Sequence, residues 1–543
     1  MRNILRSNRV DADHSDVRTP SGRSIGILLI ALLIVSPAAY PALTIWATND
    51  ILPKAYRLFL VAGFFTLLGI AVFLTLQRFL SDSRVAAFMT FFIILVLTSG
   101  GQILSRWSWT WRWVAAVVVM SLVVVIVLRL REWWVLDVIV VASAAALLVP
   151  PLLTGLWSSV ARAETAPPSS ANALLSPMAD RPDVFLVILD GYTSLPVLRE
   201  LFEFEDLTLR EDLASDGFNV VEPIFSGYSV TQFSLSSLLE LEYADEQRLT
   251  TMTDDPRPLA QMIGGDSQLV RMLSNSGYRT TMVEPGWHMS TCGDNIDVCV
   301  PDPFIDEGVE TVLSQSLLWS FLESSVGSAI THGARQAMSW TVDNIDTLVD
   351  NETPDFMFVH ILAPHPPLFL DSDCQVSSDR RNLDGIDMGM AGVSPETARL
   401  RLEGYANQVQ CVNGFVRELA AAVSGTDSLV FITGDHGSDV MSQFSTEPEQ
   451  WSDPQVLERM SVFVAVKAPQ ECEIESPLVT AALFRSLISC AGGLDLDPIE
   501  DRSFLVPQYE VDGRLPDMRV LDADELTRLG SCLAEVDENL NCR

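Results

Sequence analysis

The residues best suited to chemistry in this 543-residue chain stand where short apolar runs stop. Ser428 to Asp439 reads SLVFITGDHGSD, a buried-strand pattern ending in Gly434-Asp435-His436-Gly437, and glycines let a chain turn sharply where a strand ends. A carboxylate beside an imidazole at such an edge is either ordinary turn chemistry or a donor pair for a divalent cation such as Zn²⁺ or Mn²⁺. Asp190 closes a second apolar run over 184–189, and His360 and His365 fall at the end of a third, 356–362. Thr231 precedes an apolar helical run within SGYSVTQFSLSSLLELEY, residues 226–243. A hydroxyl at a helix N-terminus lies beside free backbone N–H groups and the positive end of the dipole, which suits phosphate or sulfate. An isolated threonine there reads first as an N-cap. His288, in EPGWHMS, is a further pocket candidate.

The elements that must position these groups follow from periodicity. Strands are expected at 184–189, 218–221, 279–283, 356–362, 428–433 and 461–466, and helices near 207–215, 234–242, 266–275, 309–323, 335–349, 395–422 and 477–491. Strand and helix alternating over some 340 residues predict an α/β domain with a mainly parallel central sheet. In such a sheet ligands bind at the carboxyl ends of the strands. No internal repeat is visible.

Composition divides the chain. Residues 1–181 carry 15 Lys+Arg against 9 Asp+Glu, and residues 182–543 carry 20 against 61. Hydrophobicity belongs to the first part and acidity to the second. So negative a field excludes nucleic acid as partner, because phosphate-backbone binding needs concentrated Lys and Arg. An anionic substrate must then be held by local groups. Residues 1–24 are Arg-rich, and five spans of about 20 residues each are expected near 25–46, 56–76, 85–105, 113–130 and 133–157. The arginines place the N-terminus in the cytoplasm, and an odd number of crossings places the large remainder outside the cytoplasmic membrane. The division is a cytoplasmic N-terminus (1–24), a five-helix membrane domain (25–157), an Ala/Pro/Ser-rich linker (158–181), an extracytoplasmic α/β domain (182–500) and a peripheral segment (501–543). All eight cysteines lie beyond residue 290, which suggests disulfides in an oxidising compartment. Proximity favours Cys292 with Cys299, Cys472 with Cys490 and Cys532 with Cys542, leaving Cys374 with Cys411.

At four places the chain resembles the sulfatase-like branch of the alkaline phosphatase superfamily, within it the membrane-anchored lipoteichoic acid synthases and phosphoethanolamine transferases: PDVFLVILDGY at 182–192, GYSVTQFSLSSLLELEY at 227–243, FMFVHILAPHPPLFLD at 356–371 and FITGDHGSD at 431–439. The resemblance implies one divalent metal, Zn or Mn, held by Asp190, Thr231, Asp435 and His436, with Thr231 as nucleophile. It implies that His365 and His360 bind substrate oxygens or protonate the leaving group, and His288 joins them as a substrate-binding candidate. It further implies a membrane phospholipid donor, an envelope glycan or lipid acceptor, and transfer of a phospho-headgroup through a phosphothreonine intermediate. An ester hydrolase and a catalytically silent sensor or scaffold are the alternatives. Position 231 is Thr, with Phe233 and Leu235 where formylglycine sulfatases carry Pro and Arg, so that chemistry is not expected.

Overall fold

In the computed structural model, described for residues 20–49, 51–52, 54–80, 82–103, 135–164, 181–206, 208–244, 255–319, 329–349, 353–376, 394–440, 444, 446–474, 477–507, 517–533 and 540, the chain divides into two compact units. Most of the first unit is built from helices α1 (Pro20–Thr48), α2 (Ala55–Phe79), α3 (Ser83–Ile103) and α4 (Val135–Glu164). Leu33 and Ile34 of α1 bury against Val85, Ala86, Phe88 and Phe91 of α3, while Ile27, Leu28, Phe64, Leu67 and Leu74 stay exposed. Large apolar side chains facing outward on apolar helices suit a lipid surround.

The five expected spans are corrected to three among the described residues: Gly26–Thr48, Ala55–Phe79 and Ser83–Gly101 are long and apolar enough to cross a membrane. The span expected at 113–130 lies outside the described residues. The one expected at 133–157 falls on α4, whose apolar stretch among the described residues is Val141–Trp157.

Most of the second unit is the expected α/β domain. A seven-stranded sheet runs in the order β2-β7-β6-β1-β5-β3-β4, formed by β1 (Val184–Leu189), β2 (Asn219–Val220), β3 (Arg279–Val283), β4 (Val298–Val300), β5 (Asp355–Ile361), β6 (Leu429–Gly434) and β7 (Val464–Lys467). The run β6-β1-β5-β3-β4 is parallel, and β7 and β2 close one edge antiparallel. Phe185, Val187 and Leu189 enter one hydrophobic core, and Val184, Leu186 and Ile188 enter another. Each face of β1 is therefore covered, which is why its sequence is apolar without alternation.

Four helices matter most to the site. They are α5 (Thr231–Glu240), α6 (Pro395–Ala422), α7 (Asp453–Met460) and α8 (Thr480–Ala491). Phe233, Leu235, Leu238 and Leu239 of α5 and Leu483, Phe484 and Leu487 of α8 belong to the core that holds Ile188. Tyr405, Val409 and Val412 of α6 and Val456, Leu457 and Met460 of α7 belong to the other. Disulfides join Cys292 to Cys299, Cys374 to Cys411 and Cys472 to Cys490 as expected. Cys532 is also disulfide-bonded, and Cys542 lies outside the described residues. The segment after 500 does more than cap the surface. β8 (Ser503–Leu505) pairs with β9 (Arg519–Leu521), and the Phe504 ring stacks on Tyr228 at 4.8 Å, three residues before Thr231.

Candidate functional site

Strand register brings the first donors together. Leu189 pairs with Gly434 on one side and with Ile361 on the other, so Asp190 and Asp435 each stand one residue beyond paired positions. Neighbouring strands lie about 4.8 Å apart. Ile188 pairs with His360, which puts that imidazole on the face that Asp190 resumes two residues later. The turns are set by glycine. Gly191 has φ +72°, and a Cβ on Gly437 would stand 2.1 Å from the Glu458 carbonyl oxygen, so neither position accepts a side chain without rearrangement.

Asp190, Asp435 and His436 present ligand atoms within 4.8 Å of one another. His436 Nε2 lies 3.3 Å from Asp435 Oδ2, 3.6 Å from Asp190 Oδ1 and 3.1 Å from Thr231 Oγ1. His436 Nδ1 is 2.8 Å from the Gly437 carbonyl, a bond in which Nδ1 donates and Nε2 is left with its lone pair inward. Asp435 Oδ1 accepts from the Gly191 N–H at 2.9 Å. Asp190 Oδ1, Asp435 Oδ2 and His360 Nε2 are buried with no hydrogen-bond partner. Buried acceptors left without donors around an inward imidazole lone pair fit a divalent cation with N and O ligands.

The protonation states agree. Burial lowers His436 to about 3, with the Arg459 charge acting the same way, so the ring is neutral and able to ligate. Burial and the adjacent Asp190 charge raise Asp435 to about 6. Burial pushes Asp190 upward, but His365, His360 and His436 together hold it well below the usual carboxylate range. For His365, burial acts downward and is outweighed by Asp190 and Asp439, so its pKa is raised.

Thr231 is the first residue of α5, and Val230 is the N-cap. The N-cap reading therefore does not hold: the threonine hydroxyl faces His436 instead of closing its own helix. The chain before it is fixed from behind. Ser229 N–H donates to the Phe504 carbonyl at 3.0 Å, and Ser229 Oγ both donates to the Val506 carbonyl and accepts from its N–H.

His365 enters from the loop after β5. Its N–H donates to the Asp190 carbonyl at 2.9 Å and its ring stands 6.1 Å from that of His436. Nδ1 is engaged by the Pro366 carbonyl at 2.5 Å, which leaves Nε2 available. His360 is fully buried. Its Nε2 is 3.3 Å from Asp190 Oδ2 and its Nδ1 3.2 Å from Ser290 Oγ. His288 pairs instead with Glu307, and its neighbour Trp287 packs its ring on His360. No hydrogen bond or ring contact joins His288 to Asp190, Thr231, Asp435 or His436.

Three residues absent from the sequence reading shape the site. Tyr405 OH donates to the Gly191 carbonyl at 2.7 Å and accepts from Thr193 N–H at 3.2 Å. Gln408 accepts from the N–H groups of Phe369 and Leu370 and donates to the carbonyls of Pro364 and His365. Arg459 Nε donates to the Ser229 carbonyl at 2.9 Å. None carries a local signal, because a polar residue on a helix reads as solvated until its distant partner is known.

A mainly parallel sheet whose strand ends gather buried, unsatisfied acceptors beside a helix-terminal hydroxyl defines an α/β domain with a candidate cation site. Residues 183–492 match the family model described as Sulfatase, and the chain belongs to the sulfatase family, a sulfatase-like enzyme of the alkaline phosphatase superfamily. Solved structures similar to it include the C-terminal periplasmic domain of EcEptC from Escherichia coli (13% identity, 64% of this chain and 97% of that one, TM-score 0.38). The soluble domain of lipooligosaccharide phosphoethanolamine transferase A from Neisseria meningitidis is also similar (13% identity, 55% and 83%, TM-score 0.34). A third is BT4656 in complex with its substrate D-glucosamine-2-N,6-O-disulfate (10% identity, 64% and 92%, TM-score 0.41). No curated protein sequence matches the chain.

Proposed function

We propose that this protein is a membrane-anchored, metal-dependent transferase that moves a phospho-headgroup, of the phosphoglycerol or phosphoethanolamine type, from a membrane phospholipid to an envelope glycan or lipid acceptor. The observation that carries the reading is the Thr231 hydroxyl, which leads its helix yet lies 3.1 Å from His436 Nε2 among partnerless carboxylate oxygens. Asp190, Asp435, His436 and Thr231 Oγ1 would hold one divalent cation, Zn²⁺ or Mn²⁺. When bound, it lowers the hydroxyl's pKa and offsets charge on the phosphoryl oxygens.

Thr231 Oγ1, its proton passed to solvent, attacks the phosphorus of the headgroup diester, and the bond from phosphorus to the lipid alcohol oxygen breaks. The raised pKa of His365 suits it to give that oxygen its proton. The phosphothreonine is then attacked by the acceptor hydroxyl, whose proton goes to His365 as the threonine oxygen leaves as the alkoxide. His360, sealed behind Asp190, acts as a positioning residue for that carboxylate. His288 serves at most the rim of the substrate pocket, on the Trp287 side. The domain works outside the cytoplasmic membrane with the N-terminus inside, as the arginine distribution and the disulfides support. Holding enzyme and lipid donor on one surface raises their effective concentration.

The test is full-length protein in nanodiscs with a headgroup-labelled phospholipid and a glycan acceptor. Labelled acceptor and a phosphothreonine at position 231 by mass spectrometry are the expected results. Thr231→Ala abolishes both while retaining metal. Release of free headgroup alone assigns an ester hydrolase, and no turnover with metal bound assigns a silent scaffold.

A further inference from the structure

The site has a second unsatisfied group, of opposite sign. Arg459 is only 3% exposed, on the last turn of α7. Its Nε is fixed by the Ser229 carbonyl, two residues before Thr231, and a face of its guanidinium lies 5.7 Å from the Phe444 ring centroid. Its Nη1 is buried without a hydrogen-bond partner. Asp439 Oδ2 forms an ion pair with it at 3.4 Å but makes no hydrogen bond. The Arg459 carbonyl accepts from the Gly437 N–H at 2.6 Å, one residue from His436, and the guanidinium charge acts downward on both His436 and His365, although Asp190 and Asp439 outweigh it at His365.

A guanidinium stays charged at all accessible pH values, and burying one with a free N–H is costly unless an acceptor completes it. Asp190 Oδ1 and Asp435 Oδ2 lack a donor or cation, and Arg459 Nη1, beside Asp439, lacks a hydrogen-bond acceptor. A tetrahedral phospho- or sulfo-group answers both needs, because different oxygens of one group can face the cation and the arginine.

The geometry points to Arg459 as a substrate-binding residue whose Nη1 takes a non-bridging oxygen of the tetrahedral anion positioned at Thr231. The inference rests on the reading of Thr231 as the reacting group and extends it to a charge that no local sequence pattern announces. A fork of fixed N–H groups prefers an oxyanion with two or more equivalent oxygens, and its negative neighbour Asp439 competes with that anion.

The experiment measures binding of inorganic phosphate and of orthovanadate to the metal-loaded full-length protein in detergent by calorimetry, with metal content read by elemental analysis. Loss of a hydrogen bond to a charged group predicts affinity for both probes lower by roughly 10- to 100-fold in Arg459→Gln, with metal stoichiometry unchanged. Arg459→Lys keeps the charge and falls between. Asp439→Asn removes the competing carboxylate and tightens binding several-fold. Should Arg459→Gln fail to fold, Arg459→Lys decides. Wild-type affinity in a folded, metal-loaded Arg459 variant overturns the inference, as does a wild-type protein that binds neither probe. Transfer activity surviving in Thr231→Ala overturns the threonine reading instead and leaves the anion affinities to be judged alone.

Discussion

At the scale of single residues, the GDHG turn combines a chemical and a steric requirement. Asp435 and His436 supply donors, while Gly437 exists because the backbone of α7 passes too close for a side chain. A Cβ there would stand 2.1 Å from the Glu458 carbonyl oxygen and 2.9 Å from that of Ser461. Its own N–H donates to the Arg459 carbonyl at 2.6 Å, so displacing it moves His436 and Arg459 together. Gly437→Ala is expected to cost roughly 1–3 kcal/mol, the range of overpacking in a filled interior. It should also lose most bound metal. Thermal unfolding and metal analysis check this, and full metal content at wild-type stability would count against the account. Gly437 was legible as a turn glycine, but its reason, the approach of α7, was not, because that neighbour lies some twenty residues on.

At the scale of elements, the strand ends were legible and the braces were not. β1, β5 and β6 are buried along their length, so each is written mainly in apolar residues, with His360 near the end of β5 and Thr433 near the end of β6, and Asp190 and Asp435 follow β1 and β6 at the ligand edge. Thr231 could be placed at a helix start, but the residues just before it, Tyr228 and Ser229, are held by Phe504 and Val506 from the far end of the chain, and its hydroxyl lies 3.1 Å from His436 Nε2. The three-residue strand β4, and α7 with its buried Glu458-Arg459 pair, escaped notice because short or charged segments owe their burial to distant partners. α6 was legible as a helix; its function as a brace was not. Successive turns of it engage Gly191 through Tyr405, the His365 loop through Gln408 and the end of that loop through the Cys374–Cys411 disulfide. Gln408→Leu removes the acceptor shared by the Phe369 and Leu370 N–H groups and the donor to the Pro364 C=O, at roughly 1–3 kcal/mol for each buried group left unsatisfied before relaxation. Its expected signature is a fall in kcat of about tenfold or more with the metal retained, because His365 is released from register. Breaking the disulfide as well should act more than additively, since both fasten one loop. A kcat unchanged in Gln408→Leu would show that α6 holds the fold and not the histidine.

At the scale of the whole molecule, the separation of charge from hydrophobicity decides how substrate arrives. Residues 182–543 carry 61 acidic against 20 basic side chains, so an anionic substrate approaches against a repulsive field. On the proposed reading, a lipid donor held on the same membrane as the enzyme escapes much of that barrier, which is a physical reason for an acidic domain of this kind to be tethered. A soluble anionic diester has no such help. Salt screens surface charges within about 10 Å at 0.1 M and buried groups far less, so raising ionic strength weakens the repulsion while Arg459 and the metal site keep their pull on the anion. The kcat/KM for a soluble anionic phosphodiester should therefore rise several-fold between low and physiological salt, with the change in the association step and kcat nearly constant. A fall over the same range would mean that an exposed basic surface governs entry, and no such surface is written in a domain whose arginines are outnumbered threefold by carboxylates.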